Sequence, residues 1–144
     1  MTREEKIVLK SVNKPDKENV NALSEWFCAA LGFSTSDDTE PKLFERLALS
    51  SIKGEGITSK HLSQELKTPR STIIYHLNEF ISSGLVVRKG TRYFLRGNDL
   101  STTFDEIRAD MQREFDRMMQ IASRFDEMME GELYGRRKRK SEQH

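Results

Sequence analysis

The 144-residue chain has a single cysteine, three prolines and few apolar residues. Each shortage excludes something. Cys28 has no second cysteine to pair with, so no disulfide can close within the chain. No stretch of about eighteen apolar residues occurs, so no membrane-spanning helix is expected. Residues Met1 to Lys6 lack the apolar run of a secretory signal. With the lone cysteine, that makes the cytoplasm the expected compartment. Apolar residues make up 35% of the chain and charged ones 33%, a balance that fits long exposed helices better than a thick core. No Ser/His/Asp or Cys/His arrangement, glycine-rich phosphate loop or paired-carboxylate motif can be placed, so an enzyme is not expected. His61 and His76 stand without a ligand cluster, so neither a metal nor another cofactor is expected.

What is present is an uneven distribution of charge. The whole chain carries +1. Residues 57–97 hold seven basic and two acidic side chains, a net +5, while residues 98–134 hold four basic and ten acidic, a net −6. Five cations crowd residues 136–140. A phosphate-binding surface needs such a local excess and does not need a basic whole protein.

Apolar spacing divides the chain into helices and one hairpin. Behind Asp16, a suitable N-cap, Val20, Leu23, Trp26, Phe27, Ala30 and Leu31 recur at helical intervals, and Gly32 ends the run. Thr39-Glu40-Pro41 opens a second helix with Leu43, Phe44, Leu47, Ala48 and Ile52 inward, and Gly54-Glu55-Gly56 stops it. Ile57 makes a short strand. Thr58 or Ser59 caps a helix burying Leu62 and Leu66. Thr68-Pro69 opens the next, with Ile73, Leu77, Phe80 and Ile81 inward and Gly84 as its C-cap glycine. Leu85-Val86-Val87 and Arg92-Tyr93-Phe94-Leu95 then form a hairpin around Lys89-Gly90-Thr91.

This order, two short helices and a basic hairpin, builds a winged helix-turn-helix. The expected fold class is mainly α with a small β-wing, flanked by an N-terminal helix and a long C-terminal helix. Expected boundaries are an N-terminal segment at 1–38, the DNA-binding domain at 39–97, a dimerisation helix at 98–134 and a flexible basic tail at 135–144. The helix over 69–83 is the candidate for the DNA major groove and the hairpin over 85–96 for the backbone or minor groove. Lys60, Thr68, Pro69, Arg70, Ser71, Thr72, Tyr75 and His76 are its candidate contacts, joined by Arg88, Lys89 and Arg92 from the wing. Arg70 can fork onto guanine, and Ser71, Thr72 and Tyr75 offer hydrogen bonds to backbone or bases.

From Leu100 to about Leu133 the sequence predicts one long helix capped by Asp99 or Ser101. Phe104, Ile107, Met111, Met118, Ile121, Phe125 and Met128 follow a heptad series broken only by Glu114, and Phe115 widens the stripe. With Leu23 and Phe27 of the first helix, these residues are the candidate dimer seam.

The run Thr-Pro-Arg-Ser-Thr-Ile-Ile-Tyr-His-Leu-Asn-Glu-Phe-Ile-Ser-Ser-Gly-Leu-Val from Thr68, followed by Arg-Lys-Gly-Thr-Arg-Tyr-Phe-Leu from Arg88, resembles winged-helix regulators of the ArsR and MarR types, archaeal members most closely. The resemblance covers about residues 41–97. It implies a homodimer on a palindromic operator in double-stranded DNA, contacted through Arg70, Ser71, Thr72, Tyr75 and His76 with the wing beside them. Metal sensors of that group carry paired cysteines near the helix-turn-helix. This chain has none, which argues against thiolate metal sensing. Two other readings remain open at this point. One is a protein-interaction module within a transcription machinery or other assembly, and the other is a non-specific architectural DNA-binding protein.

Overall fold

The computed structural model describes residues 9–10, 13–33 and 37–142, the last seven as backbone. Its elements run α1 (Val20–Ala30), α2 (Thr39–Ile52), β1 (Ile57–Thr58), α3 (Ser59–Leu66), α4 (Arg70–Ser82), β2 (Val86–Lys89), β3 (Arg92–Leu95) and α5 (Leu100–Glu142). The protein is mainly helical, with a small three-stranded antiparallel sheet and a long C-terminal helix. Among the described residues no helix is long and apolar enough to cross a membrane. The chain divides into two units, Met1–Ile107 and Arg108–His144.

In the first unit, Leu43, Phe44 and Leu47 of α2 meet Leu62 of α3, Ile73, Leu77 and Phe80 of α4, and Leu85, Val86 and Leu95 around the hairpin. These are the positions that the helical spacing marked. Aromatic packing ties the N-terminal helix to this centre. Phe27 stacks on Phe104 with ring centroids 5.6 Å apart and lies 6.1 Å from Phe44. Phe33 meets Phe80 edge-on at 4.8 Å. Cys28 is fully buried, and burial together with the charges of Glu40 and Glu25 pushes its thiol up to about 12. It stays a neutral core residue at any ordinary pH.

One expected inward position on each of α1 and α2 faces outward. Val20 and Ile52 are both exposed, while Ser24 and Ser51 are buried in their stead. Ser51 lies one turn beyond Leu47, on the inward row of α2. Its hydroxyl donates to Leu47 O at 2.7 Å and accepts from Leu95 N at 2.8 Å. A buried hydroxyl with both bonds made is cheap, and this one docks the end of β3 on α2.

The sheet has the order β1-β3-β2. Ile57 faces Tyr93 and Thr58 faces Arg92, while Lys89 pairs with Arg92 at the hairpin end. Gly90 there has φ +64, as the first central position of a type II′ turn requires. Gly56, also at positive φ, enters β1 with no room for a side chain, because a Cβ would fall into the ring of Phe94.

Capping residues set the remaining boundaries. Asn19, three residues after the expected Asp16, caps α1 by accepting from Ala22 N at 2.8 Å. Thr58 caps α3 through His61 N. Pro69 occupies the N-cap of α4 with extended backbone, so this helix starts one residue later than Thr68-Pro69 implied. Asp99 caps α5, accepting from Thr102 N at 2.7 Å. Thr103 completes that corner, donating to Asp99 O and accepting from Gly97 N.

The second unit is the continuation of α5. The helix runs to Glu142, past Leu133 and across the stretch expected to be a flexible tail. Residues 1–8, 11–12 and 34–36, including the apolar run Ile7-Val8, lie outside the described residues.

Gly56→Ala should destabilise the protein by about 2 kcal/mol, since it combines a positive φ with a clash; chemical denaturation measures this, and an unchanged midpoint would contradict the packing. A second test uses pH. The bonds from Thr102 hold the Asp99 carboxyl below the usual carboxylate range. Its contribution is therefore full above the unfolded value near about 4 and is lost as pH falls through the folded value. Asp99→Asn keeps an acceptor but cannot titrate, so the stability gap between the two proteins should narrow below about pH 4.

Candidate nucleic-acid interface

The surface of interest begins with the turn between α3 and α4. Lys67 takes a left-handed conformation, φ 50 and ψ 44, at the end of α3. Thr68 locks the turn, with Thr68 N donating to Ser63 O, Ser63 Oγ donating to Thr68 O at 2.6 Å, and Thr68 Oγ1 donating to Leu66 O at 3.0 Å. These bonds engage the Thr68 hydroxyl inside the turn, so it holds the two helices in place and is not a free contact group.

Burial on one side of α4 decides what its other side presents. Ile73, Leu77 and Phe80 are fully buried. At about 100° per residue, Ser71, Tyr75, Asn78 and Glu79 must then face away, and all four are exposed. Arg70 is exposed at the start of the helix, and its Nε donates to Ser59 Oγ at 3.1 Å. That bond ties the guanidinium to the beginning of α3. Lys60, in the first turn of α3, and Pro69 are exposed as well. No side chain caps the first turn of α4. Its free backbone N–H groups and positive dipole end thus lie beside Arg70 and Ser71.

His76 departs from expectation. It does not join this outward row. Its Nδ1 lies 2.7 Å from Glu40 Oε1, with side-chain exposures of only 12% and 4%. It tethers α4 to the first turn of α2. The signal was present in the sequence, since Ile73, His76, Leu77 and Phe80 follow the i, i+3, i+4, i+7 rule of a single face. Thr72, half-buried, borders the same side.

The hairpin presents its cations unequally. Arg88 and Lys89 are exposed near the turn. The Arg88 guanidinium lies 5.7 Å from the centre of the Tyr93 ring and its Nε donates to Gly90 O, while Lys89 Nζ lies 5.2 Å from the Phe94 ring centre. Ring faces steady both cations without neutralising them. Arg92 turns the other way, its Nη1 donating to Glu55 O and Gly56 O at 3.3 and 3.4 Å, so it braces the strand β1 turn. Between α4 and the hairpin runs a groove of about 610 Å³ lined by Asn78, Ile81, Val87, Arg88 and Arg96. Arg96 is held there by Glu106 at 3.0 Å.

The candidate seam residues separate into two groups. Phe27, Phe104 and Ile107 pack inside the first unit, with Ile107 only 3% exposed and Leu23 half-buried on α1. They serve the chain's own core and are not free for a seam. Met111, Phe115, Met118, Ile121, Phe125 and Met128 are all exposed in the single chain.

No protein-family model, curated protein or solved structure matches the chain.

His76→Ala should lower stability by roughly 1–3 kcal/mol, because it removes one hydrogen bond to a buried carboxylate. Urea unfolding measures it, and an unchanged midpoint would return His76 to the outward surface.

Proposed function

We propose that residues 39–97 form a winged helix-turn-helix and that the protein is a sequence-specific DNA-binding transcriptional regulator acting as a homodimer. The observation that carries this reading is the union of three exposed features on one domain: the uncapped start of α4 with Arg70 and Ser71, the outward Tyr75, and the hairpin cations Arg88 and Lys89. A helix whose inner face is wholly buried and whose outer face holds short polar groups suits the major groove of B-DNA. The flanking hairpin supplies charge to neighbouring phosphates. Lys60 extends the phosphate contact on the other side. In this reading Thr68, His76 and Arg92 are positioning residues that hold the reading helix and the hairpin.

The mechanism is binding without catalysis. Arginine at position 70 reads base edges, and its bond to Ser59 limits the rotamers it loses on docking. A protein-interaction module is favoured by one observation alone, the exposed apolar face of α5. That face is accounted for equally by a second copy of the chain, whereas a protein-interaction surface has no need of the +5 region.

Arg70→Ala should weaken binding to a selected duplex by roughly 1–3 kcal/mol and relax base preference at one position per half-site. Fluorescence anisotropy on matched and singly altered duplexes reads both effects. Equal affinity and equal selectivity would remove Arg70 from the interface.

A further inference from the structure

In the first unit, α2, the turn into β1 and α3 enclose a cleft of about 330 Å³. Arg46, Leu49 and Lys53 line it from one row of α2, at i, i+3 and i+7. His61 and Glu65 line it from α3, one turn apart, and Arg92 lines it from β3. That volume falls in the range of clefts that hold small molecules, about 300–1,000 Å³. Among the proposed DNA contacts, Lys60 is the near neighbour. It precedes His61 on α3, so the two side chains point about 100° apart, and the cleft takes the His61 side.

The charges of this cleft are unequally satisfied. Glu65 is engaged twice, with Oε1 2.7 Å from His61 Nε2 and Oε2 3.5 Å from Arg46 Nε. These three side chains close the wall between α2 and α3. Glu55, the other acid of the lining, gives its backbone carbonyl to Arg92. Among the described residues, neither Lys53 nor Arg92 makes an ion pair. Arg92 places its Nη1 against Glu55 O and Gly56 O, and a guanidinium with five N–H groups has three left on Nε and Nη2. Both carbonyls are neutral, so the guanidinium is held in place and its charge is left uncompensated.

The lining also has an apolar part. Leu49 is 48% exposed, and Ile57 adjoins the same cleft from β1. Apolar walls with a few charged groups that fix orientation are the usual make-up of a small-molecule site.

We infer that this cleft binds a small organic anion, its carboxylate or phosphate head on Lys53 and Arg92 and its apolar body on Leu49 and Ile57. A guanidinium matches either head, forming parallel N–H···O bonds to two oxygens. The bonds to Glu55 O and Gly56 O already fix Arg92, so docking costs little side-chain freedom. A phosphate of a DNA backbone would use the cations and leave Leu49 in water, which favours a free small molecule. The inference goes beyond the regulator reading and does not depend on it, because its test uses no duplex.

Backbone-amide NMR of the full chain tests this with three probes. Phenyl phosphate supplies head and body, inorganic phosphate the head alone and benzyl alcohol the body alone; benzoate then compares the two head chemistries. Phenyl phosphate or benzoate should shift amides around Leu49, Lys53, Ile57, His61 and Arg92 saturably, with a Kd at least about tenfold below that of either partial probe. Lys53→Gln should weaken this binding at least about tenfold, as expected for a lost bond to a charged group. Arg92→Gln should do the same, and since Arg92 also braces β1, the Lys53 variant carries the test alone. Lys42→Gln, which removes an exposed α2 cation outside the lining, should leave binding unchanged. Leu49→Ser should weaken phenyl phosphate and spare inorganic phosphate. Inorganic phosphate binding as tightly as phenyl phosphate would overturn the organic occupant. Shifts of equal size at Lys60, Arg88 and Lys89 would reveal a general response of surface cations and overturn the site, as would the lack of any saturable shift in the millimolar range.

Discussion

Burial of Ile73, Leu77 and Phe80 along one row of α4 governs the rest of the first unit. Each is fully buried, and at about 1.5–3 kcal/mol for burying a large apolar side chain this row outweighs any single polar contact of the helix. Once the row is fixed against α2 and Leu62, the opposite row of Ser71, Tyr75 and Asn78 has no choice but solvent. The Thr68 turn then sets the angle between α3 and α4, and the His76–Glu40 pair stops α4 from rolling. Ser51 performs the equivalent task for the hairpin by holding Leu95. Core packing and surface chemistry are thus two consequences of one periodicity.

Much of this was legible in the sequence. The apolar rows of α2 and α4, the glycine at the end of α4, the Thr58 and Asp99 caps and the hairpin turn follow from local chemistry, and local chemistry decides them. The failures share a cause. His76 and Ser51 are polar residues that tertiary partners draw inward, Ser24 is buried with its hydroxyl on Val20 O of its own helix, and hydropathy spacing reads a polar residue as a surface residue. Arg92 lies in a cluster of cations, yet its guanidinium binds carbonyls 36 and 37 residues away. No short-range pattern announces such a bond. The pairing of β1 with β3 was hidden for the same reason, since a two-residue strand has no period of its own. Phe104 and Ile107 continue the heptad of α5 without interruption, so sequence alone could not tell where the chain's own core ends and the exposed seam begins.

The two units divide the physical tasks of the proposed function. The first concentrates positive charge on a rigid surface, where arginine and lysine beside aromatic rings and helix ends keep their charge but lose freedom. The second carries an exposed apolar face on α5. A regulator on a two-fold site needs affinity for phosphate, discrimination among bases and a symmetric partner, and the +5 region, the outward row of α4 and α5 supply them separately. The net charge of +1 conceals the +5 held by residues 57–97.

The central claim is sequence-specific recognition of double-stranded DNA by a two-fold assembly. The most direct measurement is a binding selection from random duplexes on the purified protein, with the affinity of the enriched sequence followed against salt concentration. The account predicts a motif with two-fold symmetry and an affinity for it well above that for scrambled duplex across the salt range. Steeply salt-dependent binding with no enriched motif, or no binding to duplex DNA at all, would contradict it.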